Sequence, residues 1–109
     1  MELWQCDATE LAHLIRTGRA SSREAVQSCL ARLDAVNPAI NAVVRRMDDE
    51  ALAAADAADV ARARGEALGP LHGVPVTTKI NVDQQGHPTD NGVAAFKDLM
   101  ATEDSPVVA

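Results

Sequence analysis

Apolar residues recur at helical spacing in three stretches of this chain, and between them lie two short β-branched runs. The first stretch opens with Asp7-Ala8-Thr9-Glu10, an N-cap aspartate with a capping-box glutamate three residues on. Leu11, Leu14 and Ile15 then share one face, and Gly18 suits the stop. The spacing predicts a short amphipathic helix over about 7–17. Ser21-Ser22-Arg23-Glu24 repeats the start signal, with Ser21 capping and Glu24 reaching back. Ala25, Val26, Cys29, Leu30, Leu33 and Val36 make one stripe, and Asn37-Pro38 closes a predicted helix over 21–36. The third stretch, 48–64, is built on alanine, the best helix former. Asp48, Asp49 and Glu50 at its start and Arg62 and Arg64 at its end complement the helix dipole. Met47, Ala54, Ala57, Ala58, Val60 and Ala61 offer a flat face for close packing on a neighbour.

Ile40 to Val44 is short, β-branched and bounded by Pro38 and Arg45-Arg46, which predicts a strand over 40–44. Val74-Pro75-Val76-Thr77-Thr78-Lys79-Ile80 also has strand composition, with Pro75 confining it to an edge or a strand start. Gly65 to Gly73 and Gln84 to Gly92 read as loops. Ser105-Pro106 is an N-cap followed by proline at the first helical position, so Val107, Val108 and Ala109 would form the first turn of a further helix. A helix of four residues does not stand alone in water, and the expectation is a truncated α/β chain, one domain at most, with no repeat or linker.

Composition sharpens this. Apolar residues make up 47% of the chain, but many are alanine, with one Trp, one Phe and no Tyr. Large core side chains are scarce, and a chain this size is marginal in surface-to-volume terms, so support from another polypeptide is expected. The net charge of −6 argues against nucleic acid or an anionic membrane as partner. Cys6 and Cys29 make no disulfide framework, the N-terminus has no signal-peptide pattern, and no run is long enough to span a membrane. A cytoplasmic location is the expectation.

One segment carries candidate chemistry. Gly69-Pro70-Leu71-His72-Gly73-Val74-Pro75-Val76-Thr77-Thr78-Lys79 is a Gly/Pro loop that runs into a strand-like stretch and delivers a single lysine. Local sequence alone leaves Lys79 as either a surface lysine or a catalytic one. The run resembles the amidase signature family, in which a Gly-Pro-Leu-His-Gly-(Ile/Val)-Pro loop leads into a strand ending in the catalytic lysine. Asn81-Val82-Asp83, Gly86, Pro88-Thr89, Asn91-Gly92 and Glu103 to Ala109 are similar to the family's continuation. Ser21 to Glu24 and Asn37 to Val43 match its N-terminal layout, so the resemblance covers essentially the whole chain. Many members have Asp directly after the lysine, where this chain has Ile80, which bears on substrate class more than on mechanism.

The resemblance implies an α/β fold around a mixed sheet, of which this chain would hold the N-terminal helices and first strands. It implies hydrolysis of carboxylic amides by a Ser–cis-Ser–Lys triad through an acyl-serine. Lys79 would act through the cis-serine as the base that activates the nucleophile. Both serines lie beyond the lysine in a Gly/Ser-rich region that has no counterpart here. Ser21 and Ser22 precede the lysine and read as a helix cap. A free lysine titrates near ~10.4, so work as a neutral base near pH 7 needs a drop of roughly 3 units, about 4–5 kcal/mol of bias. Burial and neighbouring donors can supply that, and a fragment that leaves Lys79 in water cannot. The chain alone is therefore expected to be inactive, with Lys79 an ordinary cation. Its expected partners are a small-molecule amide substrate once completed, and a complementary chain or a second copy. The rival expectation is a small acidic binding module without chemistry, folding as an autonomous domain.

The remaining candidates read as structural. His13 lies on a polar helix face, His72 suits a hydrogen bond to backbone, and His87 sits in a loop that is a candidate for the rim of a substrate entrance. Cys29 is central in an apolar stripe and reads as an inert thiol, whereas Cys6 is expected to be exposed. Asp83 and Asp90 suit turns and caps. The histidines and cysteines lack metal-ligand spacing, and the glycines form no phosphate-binding pattern. No cofactor or metal is expected.

Overall fold

The computed structural model describes residues 1–109, which divide into two compact units, Met1–Pro75 and Val76–Ala109.

The first unit holds three helices: α1 (Ala8–Arg16), α2 (Ser22–Ile40) and α3 (Asp48–Ala63). The α1 start is a closed capping box, in which Asp7 accepts from the Glu10 N–H at 2.8 Å and Glu10 accepts from the Asp7 N–H at 3.0 Å. Leu11 and Ile15 of α1 meet Ala25 of α2 in the core, with Leu3, Cys6 and Val74 packed around them. Leu3–Gln5 forms a 3-10 turn ahead of α1. It is held on α2 by a bond from the Trp4 N–H to Ser28 Oγ (3.1 Å) and by Arg32, whose guanidinium stands 4.3 Å from the centre of the Trp4 ring.

Ser21 caps α2 through the Glu24 N–H as expected, but the expected return bond from Glu24 is not formed, so this is a simple cap and not a capping box. Two further free N–H groups of that helix end, on Ser22 and Arg23, are taken by the carboxylate of Asp59 in α3 at 2.7 and 3.1 Å. The apolar stripe of α2 is the side that is buried or half-buried. On α3 the inward residue is Ala55, flanked by half-buried Ala51, Leu52, Ala58, Asp59 and Arg62, whereas Ala54, Ala57 and Val60 face solvent. Of the expected α3 face, Met47, Ala58 and Ala61 are half-buried and the other three are exposed, so the face is met only in part, a run of alanines offering no contrast between sides.

Two expected strands are not strands. α2 does not stop at Asn37-Pro38 but continues to Ile40, and Asn41 then turns left-handed (φ 50°) with its N–H on the Asn37 carbonyl. A proline in the last turn costs only one helical hydrogen bond, and its fixed φ is compatible with the helix. The Asn37 side chain takes both the N–H and the carbonyl of Val43 at 2.9 Å. These are the groups a strand over 40–44 would offer to a neighbour, so that strand is pre-empted. Residues 74–80 are likewise irregular. Pro75 has no N–H, the Val74 N–H turns back to the Leu71 carbonyl (3.1 Å), and no strand exists for the segment to pair with.

The second unit is a set of turns closed by a short pairing of 86–89 with 99–101. The Gly86 N–H donates to the Ala101 carbonyl (3.0 Å), the Ala101 N–H to His87 (3.0 Å), and the Thr89 N–H to Leu99 (2.9 Å). Only isolated β-bridges result, Gln85 with Ala101 and Pro88 with Met100. Asp104 and Asp83 reinforce them, Asp104 accepting from the Gln85 N–H and Asp83 from Thr89 Oγ1. The Ser105 carbonyl accepts from both Val108 and Ala109, so the expected helical turn after Ser105-Pro106 is present. The architecture is three helices with very little extended structure. No helix is long and apolar enough to cross a membrane.

Candidate active-site segment

Gly69 to Pro75 lies across the three-helix unit and is fastened to each helix in turn. From α1, Arg16 Nη2 donates to the carbonyls of Gly69 and Pro70 at 3.4 and 3.3 Å. From α2, the Ser22 hydroxyl donates to the Gly73 carbonyl at 2.6 Å. On α3, the Ala58 carbonyl lies 2.8 Å from His72 Nε2, which requires the proton on that nitrogen. His72 therefore makes the backbone bond expected of it. Two internal bonds, His72 N–H to Gly69 and Val74 N–H to Leu71, fold the loop on itself.

Gly73 is the tightest point. Its φ is +79°, and a Cβ there would stand 3.1 Å from both Ile15 Cγ2 and Ser22 Cβ. Both neighbours are fully buried. Only glycine combines the left-handed backbone with that absence of space. The motif's second glycine is thus explained by local geometry.

Lys79 lies in the second unit and is exposed. Its carbonyl closes a turn by accepting from the Val82 N–H (2.9 Å), and the preceding Thr78 hydroxyl donates to Gln84 Oε1 (3.3 Å). Ser21, Ser22 and Ser28 belong to the helical unit, where each hydroxyl already has a structural partner.

His13 is exposed on α1. His87 is buried at 8% exposure inside its own unit, where its carbonyl accepts from the Ala101 N–H. Cys6 is not an exposed thiol but packs half-buried against the core. Burial pushes the Cys29 thiol above its ordinary value. No group of His, Cys, Asp or Glu is arranged to hold a metal ion. Sequence reasoning did not single out Arg16 or Asp59, and it read Ser22 only as part of a cap. One signal for Ser22 was present: two adjacent serines begin α2, and a cap needs one.

A model of the Amidase family matches residues 24–109. The indoleacetamide hydrolase of Bradyrhizobium diazoefficiens is 53% identical over 106 residues, 97% of this chain and 20% of that protein. A solved structure described as a vestigial protein complex bearing on the origins of an s-triazine catabolic enzyme superposes with a TM-score of 0.89 at 38% identity, covering 94% of this chain and 23% of that one. A bacterial aryl acylamidase of the amidase signature enzymes superposes with a TM-score of 0.82 at 32% identity, over 88% and 20%. The chain belongs to the amidase signature family, and it spans about a fifth of the length of these relatives.

Proposed function

We propose that these residues are the N-terminal fifth of an amide hydrolase and that Lys79 is its general base. The observation that carries the reading is the unbroken motif from Gly69 to Lys79, whose first seven residues are tied to all three helices through named bonds. Such fastening suits a segment that must present a reactive group at a set place.

In this reading the rest of the domain supplies both serines and the mixed sheet of an α/β amidase. It also covers the lysine. A neutral lysine requires desolvation, and Lys79 is open to solvent here, so that cover comes from outside these residues. Lys79 then draws a proton through the cis-serine from the nucleophilic serine, which attacks the amide carbonyl. The proton passes to the departing amine, and water releases the acyl group. Exposed Ile40, Val44, Phe96, Leu99 and Met100 fit a chain that packs against further protein and fit an autonomous binding module less well. That further protein is a complementary chain or the continuation of the same domain, the substrate is a small carboxylic amide, and nucleic acid and membrane have no part in it.

The test is a hybrid in which residues 1–109 replace the matching fifth of the Bradyrhizobium indoleacetamide hydrolase. It should hydrolyse indoleacetamide, and the isolated chain should not. Lys79→Ala in the hybrid should lose at least ~10²–10⁴-fold in kcat by removing acid–base catalysis. Near-full activity of that variant refutes the assignment.

A further inference from the structure

The hydroxyl of Ser22 is costly where it stands. The residue is 1% exposed, in the first turn of α2, facing Ile15 and Gly73. Ser21 already caps the helix, so Ser22 is not needed for that. A buried hydroxyl is tolerated only with a partner, and this one has a single, short bond to the Gly73 carbonyl at 2.6 Å. Its backbone is held as firmly, since Asp59 grips the N–H groups of Ser22 and Arg23 with its two oxygens. Arg23 in turn pairs with Asp56, one turn earlier on α3. The hydroxyl is thus aimed by two helices at one carbonyl.

That carbonyl lies two residues before the end of the helical unit at Pro75. Val74 packs on the core, Pro75 has a fixed φ, and Lys79 follows four residues later. We propose that Ser22, aimed by Asp59, is a positioning residue for Lys79: it fixes the last stretch of the helical unit, from which the lysine-bearing segment continues. This rests on Lys79 being the base.

The test uses the same hybrid enzyme, with kcat expressed per active site by titrating the acyl-enzyme burst. Ser22→Ala should lower kcat by roughly 10–100-fold, the scale of a misplacement near 1 Å, with KM within about twofold. Asp59→Asn keeps the shape and one accepting oxygen, so it should fold even where Ser22→Ala does not, and it should lower kcat by a smaller factor. The double variant should lose less than the product of the two losses, because both act on one contact. A purely structural role would reduce the number of active sites and leave kcat per site unchanged in both variants, and that result overturns the proposal. Lys79→Ala separates the two readings. If it is inactive while Ser22→Ala and Asp59→Asn turn over normally, positioning alone fails. If it remains active, the lysine assignment fails and the proposal goes with it.

Discussion

Three glycines with nearly the same left-handed backbone allow the packing of the motif loop to be measured separately from backbone strain. Gly65, Gly18 and Gly73 have φ of +73°, +75° and +79°. Changing any of them to Ala adds the same Cβ in the same strained conformation, about 1–2 kcal/mol, offset by about 0.4–1 kcal/mol from restricting the unfolded chain. The surroundings differ. Nothing lies within 4 Å of a Cβ at Gly65. At Gly18 the obstacle is the tip of Arg62, 3.0 Å away and able to swing aside. At Gly73 it is Ile15 and Ser22 at 3.1 Å, both enclosed. Overpacking a closed site costs about 1–3 kcal/mol, so Gly73→Ala should exceed Gly65→Ala by that amount, with Gly18→Ala close to Gly65→Ala. For a unit of this size the gap corresponds to roughly 5–20 °C in Tm. Urea unfolding followed by Trp4 reads it directly, because that lone Trp is pinned to α2 and loses the Arg32 contact on unfolding. The midpoints should separate at constant slope. Equal losses for Gly73→Ala and Gly65→Ala, within about 0.5 kcal/mol, would show that the loop is not pressed into the helices and would refute the account of the motif given above.

His72→Ala should cost only about 0.5–1.5 kcal/mol in the same assay, since its partner, the Ala58 carbonyl, lies within α3 and keeps its helical bond; a loss above 3 kcal/mol would mean that the ring does more than fasten the loop. Cys29, raised by burial, should react with a thiol reagent at pH 8 more slowly than a free thiol and reach the free rate in urea. Its stabilisation is full below the unfolded thiol value of about 8.5 and is lost as the pH rises through the higher folded value. The stability of the unmodified chain should therefore fall above about pH 8.5, and Cys29→Ala should flatten that fall.

The helices could be read from the chain because their signals are local. Asp7 with Glu10 makes the box it encodes, and the stripe of α2 is the side that turns inward. The strand expectations rested on composition, and composition cannot say whether a partner exists. Ile40 to Val44 lost its strand to a side chain six residues away, that of Asn37, and 74–80 to the lack of an edge. On α3 the alanines hid the direction of packing until the structure placed Ala55 inside. Lys79 was visible only through the motif around it. Arg16 and Ser22, which hold that motif, and Asp59, which holds Ser22, were not, because their roles depend on contacts spanning 37 to 54 residues.

The bond between Ser22 and Gly73 also bears on how the molecule comes into being. It joins residues 51 positions apart, and α2 with α3 lies inside the loop it closes. Closing so long a loop costs entropy that only a formed core returns. As the chain emerges from the ribosome, the pairing of α2 with α3 is available early, but the wall beside Ile15 stays open until Gly73 and Val74 arrive. The motif loop is therefore the keystone of the helical unit as well as the lead-in to its lysine, and a nascent chain short of residue 74 has an apolar site that a chaperone could hold.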